Sequence, residues 1–120
     1  MVLHHVALGA QNVERVAAFY RDFLGLPEDR RHMDGEVVRS IWLRMGESML
    51  MVERSVEPLR HVNGIGAGPF LLAISVSSKE REELENRLEA SGFSIENRSE
   101  FTSYTRDPEQ NRVAFSCYAF

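Results

Sequence analysis

The sequence has little of what marks several protein classes. Cys117 is the only cysteine in 120 residues, so the chain can form neither an intrachain disulfide nor a thiolate metal cluster of its own. No apolar run approaches the roughly 20 residues that cross a bilayer, and the N-terminus lacks a charged-then-apolar signal pattern. Basic runs are also missing, since 14 Lys and Arg face 18 Asp and Glu. These absences predict a cytoplasmic protein that binds neither membranes nor nucleic acid.

The first stretch with a clear pattern is LHHVALGAQNVERVAAFYRDFLG, residues 3–25. It predicts a short strand, a polar turn and an amphipathic helix, because apolar residues recur at three- and four-residue spacing after the turn. Side chains alternate along a strand, so His5 lies on one face and His4 on the other, toward the helix. Asn12 is the predicted N-cap, and Gly25 permits a left-handed C-cap.

A β-hairpin is predicted next, after the charged residues 28–36, which we expect to form an exposed strand edge or loop. Residues 37–45 and 48–53 are rich in branched and aromatic side chains, and a tight turn separates them. In the second strand Met49, Met51 and Glu53 share one face.

Trp42 and Arg44 share one face of the first hairpin strand. An indole beside a guanidinium can stack on and neutralise a planar anionic ligand. Alternatively, Trp42 packs under the helix and Arg44 is exposed. The sequence leaves both interpretations open.

The second half repeats this order of elements. Residues 54–69 predict a connector without regular structure. An apolar strand at 70–76 then leads to a helix that begins with the capping-box pair Ser77 and Glu80 and ends at Gly92. Its charged run, 79–89, is predicted to be a solvated face. Three further strands are expected at 93–96, 99–105 and 112–119, with Cys117 as a core residue of the last.

The repeat is also visible in the residues themselves. The run HVAL at His5 lies sixty-six positions before LLAI at Leu71, and each run leads through a cap to a helix closed by glycine. Two halves of one fold are therefore expected.

With these motifs the chain resembles the vicinal oxygen chelate superfamily, which includes glyoxalase I, the bleomycin-resistance proteins and extradiol dioxygenases. The resemblance rests on HVAL at 5–8, AAFYRDFLGL at 17–26, MLMVE at 49–53 and DPEQN at 107–111. It implies an α+β fold of two βαβββ modules whose curled mixed sheets form a cleft, usually completed by dimerisation. We therefore expect one glyoxalase-like domain over 1–120, with modules at about 1–54 and 70–120, a linker at 55–69, and a homodimer.

Enzymes of this superfamily hold a divalent metal through one ligand from each of four strands. Carried over to this chain, the first two positions fall on His5 and Glu53, which are suitable ligands, and the others on Leu71 and Ala114, which have no lone pair to donate. The resemblance thus implies either no cofactor or a loosely held divalent metal. Gln110 stands where the family usually has glycine, at a left-handed turn position that costs on the order of 1 kcal/mol.

The resemblance also implies a small-molecule cleft around His5 and Glu53. Its expected contact residues are Trp42, Arg44, Met49, Met51, Leu71, Tyr104 and Ala114. Glu53 beside His5 could act as a general base without a metal. Alternatively, the two residues form a hydrogen-bonded pair left over from a lost metal site.

Two functions are consistent with these residues. The first is a metal-free dimer like the bleomycin-resistance proteins, which binds an apolar or aromatic small molecule. The second is a divalent-metal-dependent lyase, isomerase, dioxygenase or thiol transferase that acts on vicinal oxygens. The sequence leaves open whether the protein is an enzyme.

Overall fold

The computed structural model describes residues 1–58 and 61–119. The chain divides into two compact units, Met1–Arg60 and His61–Phe120. Each unit contains one helix and one four-stranded mixed sheet. The α+β fold with strand, helix and three strands occurring twice is therefore confirmed. Within the described residues, no helix is long and apolar enough to cross a membrane.

In the first unit the sheet has the strand order β1-β4-β3-β2, with β1 parallel to β4 and the other pairs antiparallel. Its elements are β1 (His5–Ala10), α1 (Val13–Leu24), β2 (Glu28–Asp34), β3 (Val37–Met45) and β4 (Ser48–Arg54). The predicted hairpin is thus formed by β3 and β4. The charged stretch after α1 is an exposed edge strand, as expected.

Helix α1 begins and ends where its caps predict. The Asn12 side chain accepts a hydrogen bond from the Arg15 amide at 3.0 Å, and Gly25 has a φ of 65°. The buried stripe of the helix includes Val16 and Tyr20, which are 0 % exposed. The helix packs against β3 and β4. The side chains of these strands that face the helix are fully buried. Because side chains alternate along a strand, the residues between them lie on the other face of the sheet.

In the second unit the order is β5-β8-β7-β6, with β5 parallel to β8. Its elements are β5 (Leu72–Ser75), α2 (Ser78–Ala90), β6 (Asn97–Arg98), β7 (Thr102–Arg106) and β8 (Arg112–Ser116). The strand predicted at 93–96 is wrong, because regular pairing is confined to the two residues of β6. The Phe93 amide instead bonds the Leu88 carbonyl, 2.9 Å away, and so closes the end of α2.

The predicted capping box of α2 is present. The Ser77 hydroxyl accepts a hydrogen bond from the Glu80 amide, and the Glu80 carboxylate accepts one from the Ser77 amide. The prediction that residues 79–89 form a solvated face is wrong for Arg81 and Glu85, whose side chains are only 13 % and 16 % exposed. Since α2 buries only Leu84 and Leu88 fully, much of its contact with the unit is polar.

The turn 107–111 is organised by the buried carboxylate of Asp107, which accepts hydrogen bonds from the amides of Glu109 and Asn111 and from the Asn111 side chain. Gln110 follows with a φ of 74°. The left-handed conformation expected at this position is therefore present.

Candidate functional site

The candidate site lies on the face of the first sheet that is turned away from α1, which we call the open face. Strand pairing arranges its side chains in three rows. One row contains His5, Met49 and Arg44, the next Ala7, Met51 and Trp42, and the third Gly9, Glu53 and Ser40. Leu43, Leu50 and Val52, which alternate with these residues, are 0 % exposed.

The pairing register separates His5 from Glu53, although both lie on the open face. His5 is opposite Met49, whereas Glu53 is opposite Gly9. Four residues along a strand correspond to roughly 13 Å. The alternative of a hydrogen-bonded His5–Glu53 pair is therefore wrong. Glu53 instead accepts a hydrogen bond from the Ser40 hydroxyl at 3.0 Å.

His5 has a different partner, which was predicted to lie on the opposite face. Its Nδ1 atom lies 2.7 Å from Nδ1 of His4. His4 precedes β1 and is exposed, so its predicted packing toward the helix is wrong. The Nδ1 contact is possible because His4 lies outside the strand, where strict alternation no longer applies.

The donor atoms on these strands do not fit a four-ligand divalent site. The neighbour of His5 on β4 is the thioether of Met49, and Glu53 lies four residues further along that strand. Ala114 pairs with Ala73 and Tyr104, and Leu71 immediately precedes β5. In the described part of the chain, no three His, Cys, Asp or Glu side chains come together as metal ligands.

In the second unit, strand pairing does bring together Tyr104 and Ala114, two of the predicted contact residues. The Arg112 guanidinium lies 5.3 Å from the ring centre of Tyr104 and 4.7 Å from that of Phe70. It also forms an ion pair with Glu96 at 3.1 Å. Arg112 was not predicted from the sequence, although its place two residues before Ala114 puts both on one face.

A cavity of about 340 Å³ opens on the first unit over the open face. It is lined by His4, Asp29, Arg30, Trp42, Arg44, Glu47, Ser48, Met49 and Met51. Trp42 lies on this face and not under the helix, whereas Arg44 is exposed, as the alternative interpretation stated. The predicted Met49 and Met51 line the same cavity, so four of the predicted contact residues come together here.

Trp42 is surrounded by two side chains from β2. The Arg30 guanidinium lies 5.4 Å from the indole ring centre, and the His32 ring centre lies 4.9 Å away. The indole Nε1 is buried with no hydrogen-bond partner among the described residues. Residues 28–36 were predicted only as an exposed edge, so Arg30 was missed, although period-two alternation offered the means to find it.

The charges of the cavity are balanced by Asp29, which was also missed at the sequence level. Its Oδ1 accepts a hydrogen bond from Arg44 Nε at 3.1 Å and forms an ion pair with Arg44 Nη2 at 3.0 Å, and its Oδ2 accepts a hydrogen bond from Arg30 Nε at 3.3 Å. The expectation that Arg44 would supply a free positive charge for an anionic ligand is therefore wrong. With Glu47 also present, two carboxylates face two guanidiniums.

A second cavity, of about 320 Å³, lies in the second unit beside α2. Cys117 lines it and is only partly buried, so its assignment to the core is wrong. Its pKa is lowered, chiefly by a hydrogen bond with Ser78 and further by Arg81. Arg81 and Glu85 are held by Ser103 and neighbouring carbonyls, so this cavity is lined by groups that already bind one another.

Comparison with known proteins decides the family. The model of the Glyoxalase/Bleomycin resistance protein/Dioxygenase superfamily matches residues 2–115. The chain belongs to this superfamily. No curated protein matches it in sequence.

Solved structures of glyoxalase-superfamily proteins share the fold along nearly the whole chain. A possible glyoxalase from Bacillus cereus is 18 % identical, with a TM-score of 0.78, covering 98 % of this chain and 99 % of that one. A mutant of the fosfomycin resistance protein FosX from Listeria monocytogenes, complexed with Mn(II) and a dihydroxypropylphosphonic acid, is 14 % identical, with a TM-score of 0.82 and coverages of 99 % and 94 %. Lactoylglutathione lyase from Agrobacterium tumefaciens is 21 % identical, with a TM-score of 0.65 and coverages of 96 % and 92 %. At these identities the similarity establishes the fold alone.

Proposed function

We propose that this protein binds a neutral apolar or aromatic small molecule in the cavity over the open face, without a complete metal chelate, in the manner of the bleomycin-resistance branch of its superfamily. One observation carries the proposal: the indole of Trp42 and the thioethers of Met49 and Met51 line a cavity whose charges are balanced. An apolar lining with a few fixed polar groups is typical of small-molecule sites.

The side chains of this cavity suit an aromatic ligand. A thioether adapts its shape and makes favourable contacts with ring edges, and an indole offers a large flat surface. The cavity, at about 340 Å³, lies at the small end of the roughly 300–1,000 Å³ range of ligand pockets. A ligand of about two fused rings matches this size.

The proposal is tested by following the indole N–H resonance of Trp42, the only tryptophan in the chain, in ¹H–¹⁵N spectra during titration with 2-naphthamide. We expect a saturable shift of this resonance. Met51→Gln should raise Kd about tenfold, because it places an amide against the ring and removes about 1.4 kcal/mol of apolar contact. If 2-naphthamide and other neutral aromatic compounds leave the resonance unmoved, the proposal is wrong.

Met33→Gln is the matched control for this titration. Met33 lies on β2 in the same sheet, is 46 % exposed and does not line the cavity. The same chemical change at this position should leave Kd within about twofold of the original protein. An equal loss in both variants would indicate a general effect on the fold.

A divalent-metal-dependent lyase, dioxygenase or thiol transferase is the second candidate. It is favoured by His5, which matches the first ligand position, and by the fold shared with FosX, whose structure contains Mn(II). Elemental analysis after incubation with manganese, iron, nickel and zinc distinguishes the two. About one ion per subunit, lost in His5→Ala, would support the enzyme, with Glu53 as the candidate general base.

The remaining parts of the proposal concern assembly. We expect a homodimer, as the superfamily implies, in which Leu71 and Tyr104 contribute further contacts to the ligand. Ala114 was also predicted as a contact, but it is 0 % exposed and offers no surface for one. Light scattering coupled to size-exclusion chromatography measures the mass directly. A mass of one chain, near 13.7 kDa, at micromolar concentrations would contradict the dimer.

A further inference from the structure

Asp29 occupies its place beside the cavity because of an irregularity in β2. Glu28 and Arg30 pair with Leu43 and Trp42, which are consecutive residues of β3. Asp29 is therefore an extra residue without a ladder partner, as in a β-bulge. Bulges change the direction in which a side chain is aimed.

The carboxylate of Asp29 binds both guanidiniums that line the cavity. Arg44 approaches it through Nε and Nη2, at 3.1 and 3.0 Å, and Arg30 through Nε at 3.3 Å. The Asp29 side chain is only 19 % exposed, whereas those of Arg30 and Arg44 are 60 % and 56 % exposed. Asp29 is thus the less accessible partner, and a ligand entering the cavity meets the arginines with their charge already compensated.

We infer that Asp29 determines which ligand charge this cavity accepts: the carboxylate excludes anionic aromatic molecules and leaves the site selective for neutral ones. The inference rests on the proposed binding function. An anionic ligand would have to displace Asp29 from Arg44, which would leave that carboxylate without its partner, or bind where no guanidinium is free. A neutral ligand meets neither obstacle, since it needs only the indole and thioether surfaces.

The test compares 2-naphthamide with 2-naphthoate, which have nearly the same shape and differ by one negative charge at pH 7.5. Isothermal titration calorimetry measures both affinities for the original protein and for Asp29→Asn. The original protein should prefer the amide. In Asp29→Asn, the affinity for 2-naphthoate relative to that for 2-naphthamide should rise roughly fivefold, the scale of one exposed ion pair.

Two further variants separate a local charge effect from a general one. Asp34→Asn removes the same charge from the other end of β2, where Asp34 lies 3.9 Å from Arg39 and does not line the cavity; it should change neither affinity more than twofold. Arg44→Gln combined with Asp29→Asn should reduce the gain in naphthoate affinity, because one of the two guanidiniums that Asp29 had compensated is then missing.

The outcomes distinguish this inference from the function on which it rests. If neither compound binds the original protein, the proposed function fails and this inference fails with it. If 2-naphthamide binds but Asp29→Asn leaves the preference unchanged, or Asp34→Asn changes it equally, only the inference is overturned. A naphthoate gain that falls as sodium chloride is raised to about 0.5 M would agree with an electrostatic cause.

Discussion

Gln110 adopts a costly backbone conformation that neighbouring side chains hold in place. Its φ of 74° lies in the left-handed region, which an L-residue with a Cβ adopts at a cost of about 1 kcal/mol. Its backbone carbonyl accepts a hydrogen bond from Arg106 at 3.2 Å, and the Asp107 hydrogen bonds fix the residues on either side. The turn is thus maintained by its neighbours rather than by a conformational preference of Gln110.

Gln110→Gly should therefore raise the free energy of unfolding by about 0.5–1 kcal/mol, because glycine adopts positive φ freely and loses only a side chain that the turn does not require. Urea denaturation measures the change. Glu109→Gly, at the neighbouring position without positive φ, should instead destabilise the protein by a similar amount. Destabilisation by both substitutions would contradict this account of the turn.

Glu85 shows a second effect at the scale of single residues, since it is a partly buried carboxylate held by cations. Burial by itself raises its pKa, but hydrogen bonds from Ser103 and Arg98 and the charges of Arg98 and Arg81 outweigh burial and lower it. The folded protein therefore releases this proton more readily than the unfolded chain does. Glu85 stabilises the fold above its unfolded pKa of about 4.3, and this contribution is lost as pH falls through the lower folded pKa.

Glu85→Gln should reduce the free energy of unfolding by about 1–2 kcal/mol at pH 7, because it removes charge-assisted hydrogen bonds. The difference from the original protein should shrink as pH falls from 5 to about 3. Urea denaturation at several pH values measures both effects. Glu83→Gln, on the same helix with a 60 % exposed side chain, should cost less than about 0.5 kcal/mol. A difference that does not depend on pH would refute the assigned cause.

Among the elements, α2 depends on its ends more than α1 does. Only Leu84 and Leu88 of its thirteen residues are buried, whereas α1 buries five. A helix with so little apolar contact is held by its cap and by polar anchors such as Arg81. The reciprocal hydrogen bonds of Ser77 and Glu80 are therefore important to the second unit.

Ser77→Ala should destabilise the protein by about 1 kcal/mol, because the Glu80 amide loses its acceptor. Ser77→Asp should retain most of the stability, since its carboxylate can accept the same bond and suits the positive end of the helix dipole. Thermal unfolding followed by circular dichroism measures both variants. Equal losses from alanine and aspartate would show that the hydroxyl acts in some other way.

At the scale of the whole molecule, residues 55–58 and 61–71, which lie on the two sides of the boundary between the units, contain no helix or strand. Ile65 is 87 % exposed. Exposed backbone without ladder hydrogen bonds is the preferred target of proteases. The regular elements before and after these residues, β1 to β4 and β5 to β8, should resist longer.

Limited digestion with thermolysin should therefore cleave first at the Gly64–Ile65 bond, and mass spectrometry of the early fragments identifies the site. Ile65→Ser removes the preferred side chain and should slow this first cleavage without altering thermal stability. First cleavage inside α1 or within the β3–β4 hairpin would contradict the assignment of this segment as the linker.

The sequence by itself determined the elements whose causes are local. Asn12, Gly25 and the Ser77–Glu80 pair specify helix ends through contacts within a few residues, and alternation in β3 and β4 specifies which side chains share a face. The order of these elements, together with the motifs, was sufficient to identify the superfamily. For the same reason Trp42, Arg44, Met49 and Met51 could be grouped from the sequence, although the face on which they lie could not be assigned.

Only the tertiary structure decided register and long-range pairing. A shared face does not determine distance along it, so His5 and Glu53 are offset by four residues along the paired strands although they share a face. The Asp29 carboxylate binds Arg44, 15 residues away in sequence. The Arg81 guanidinium binds Ser103, 22 residues away. No local preference encodes such pairings, because they form only when strands and helix have packed.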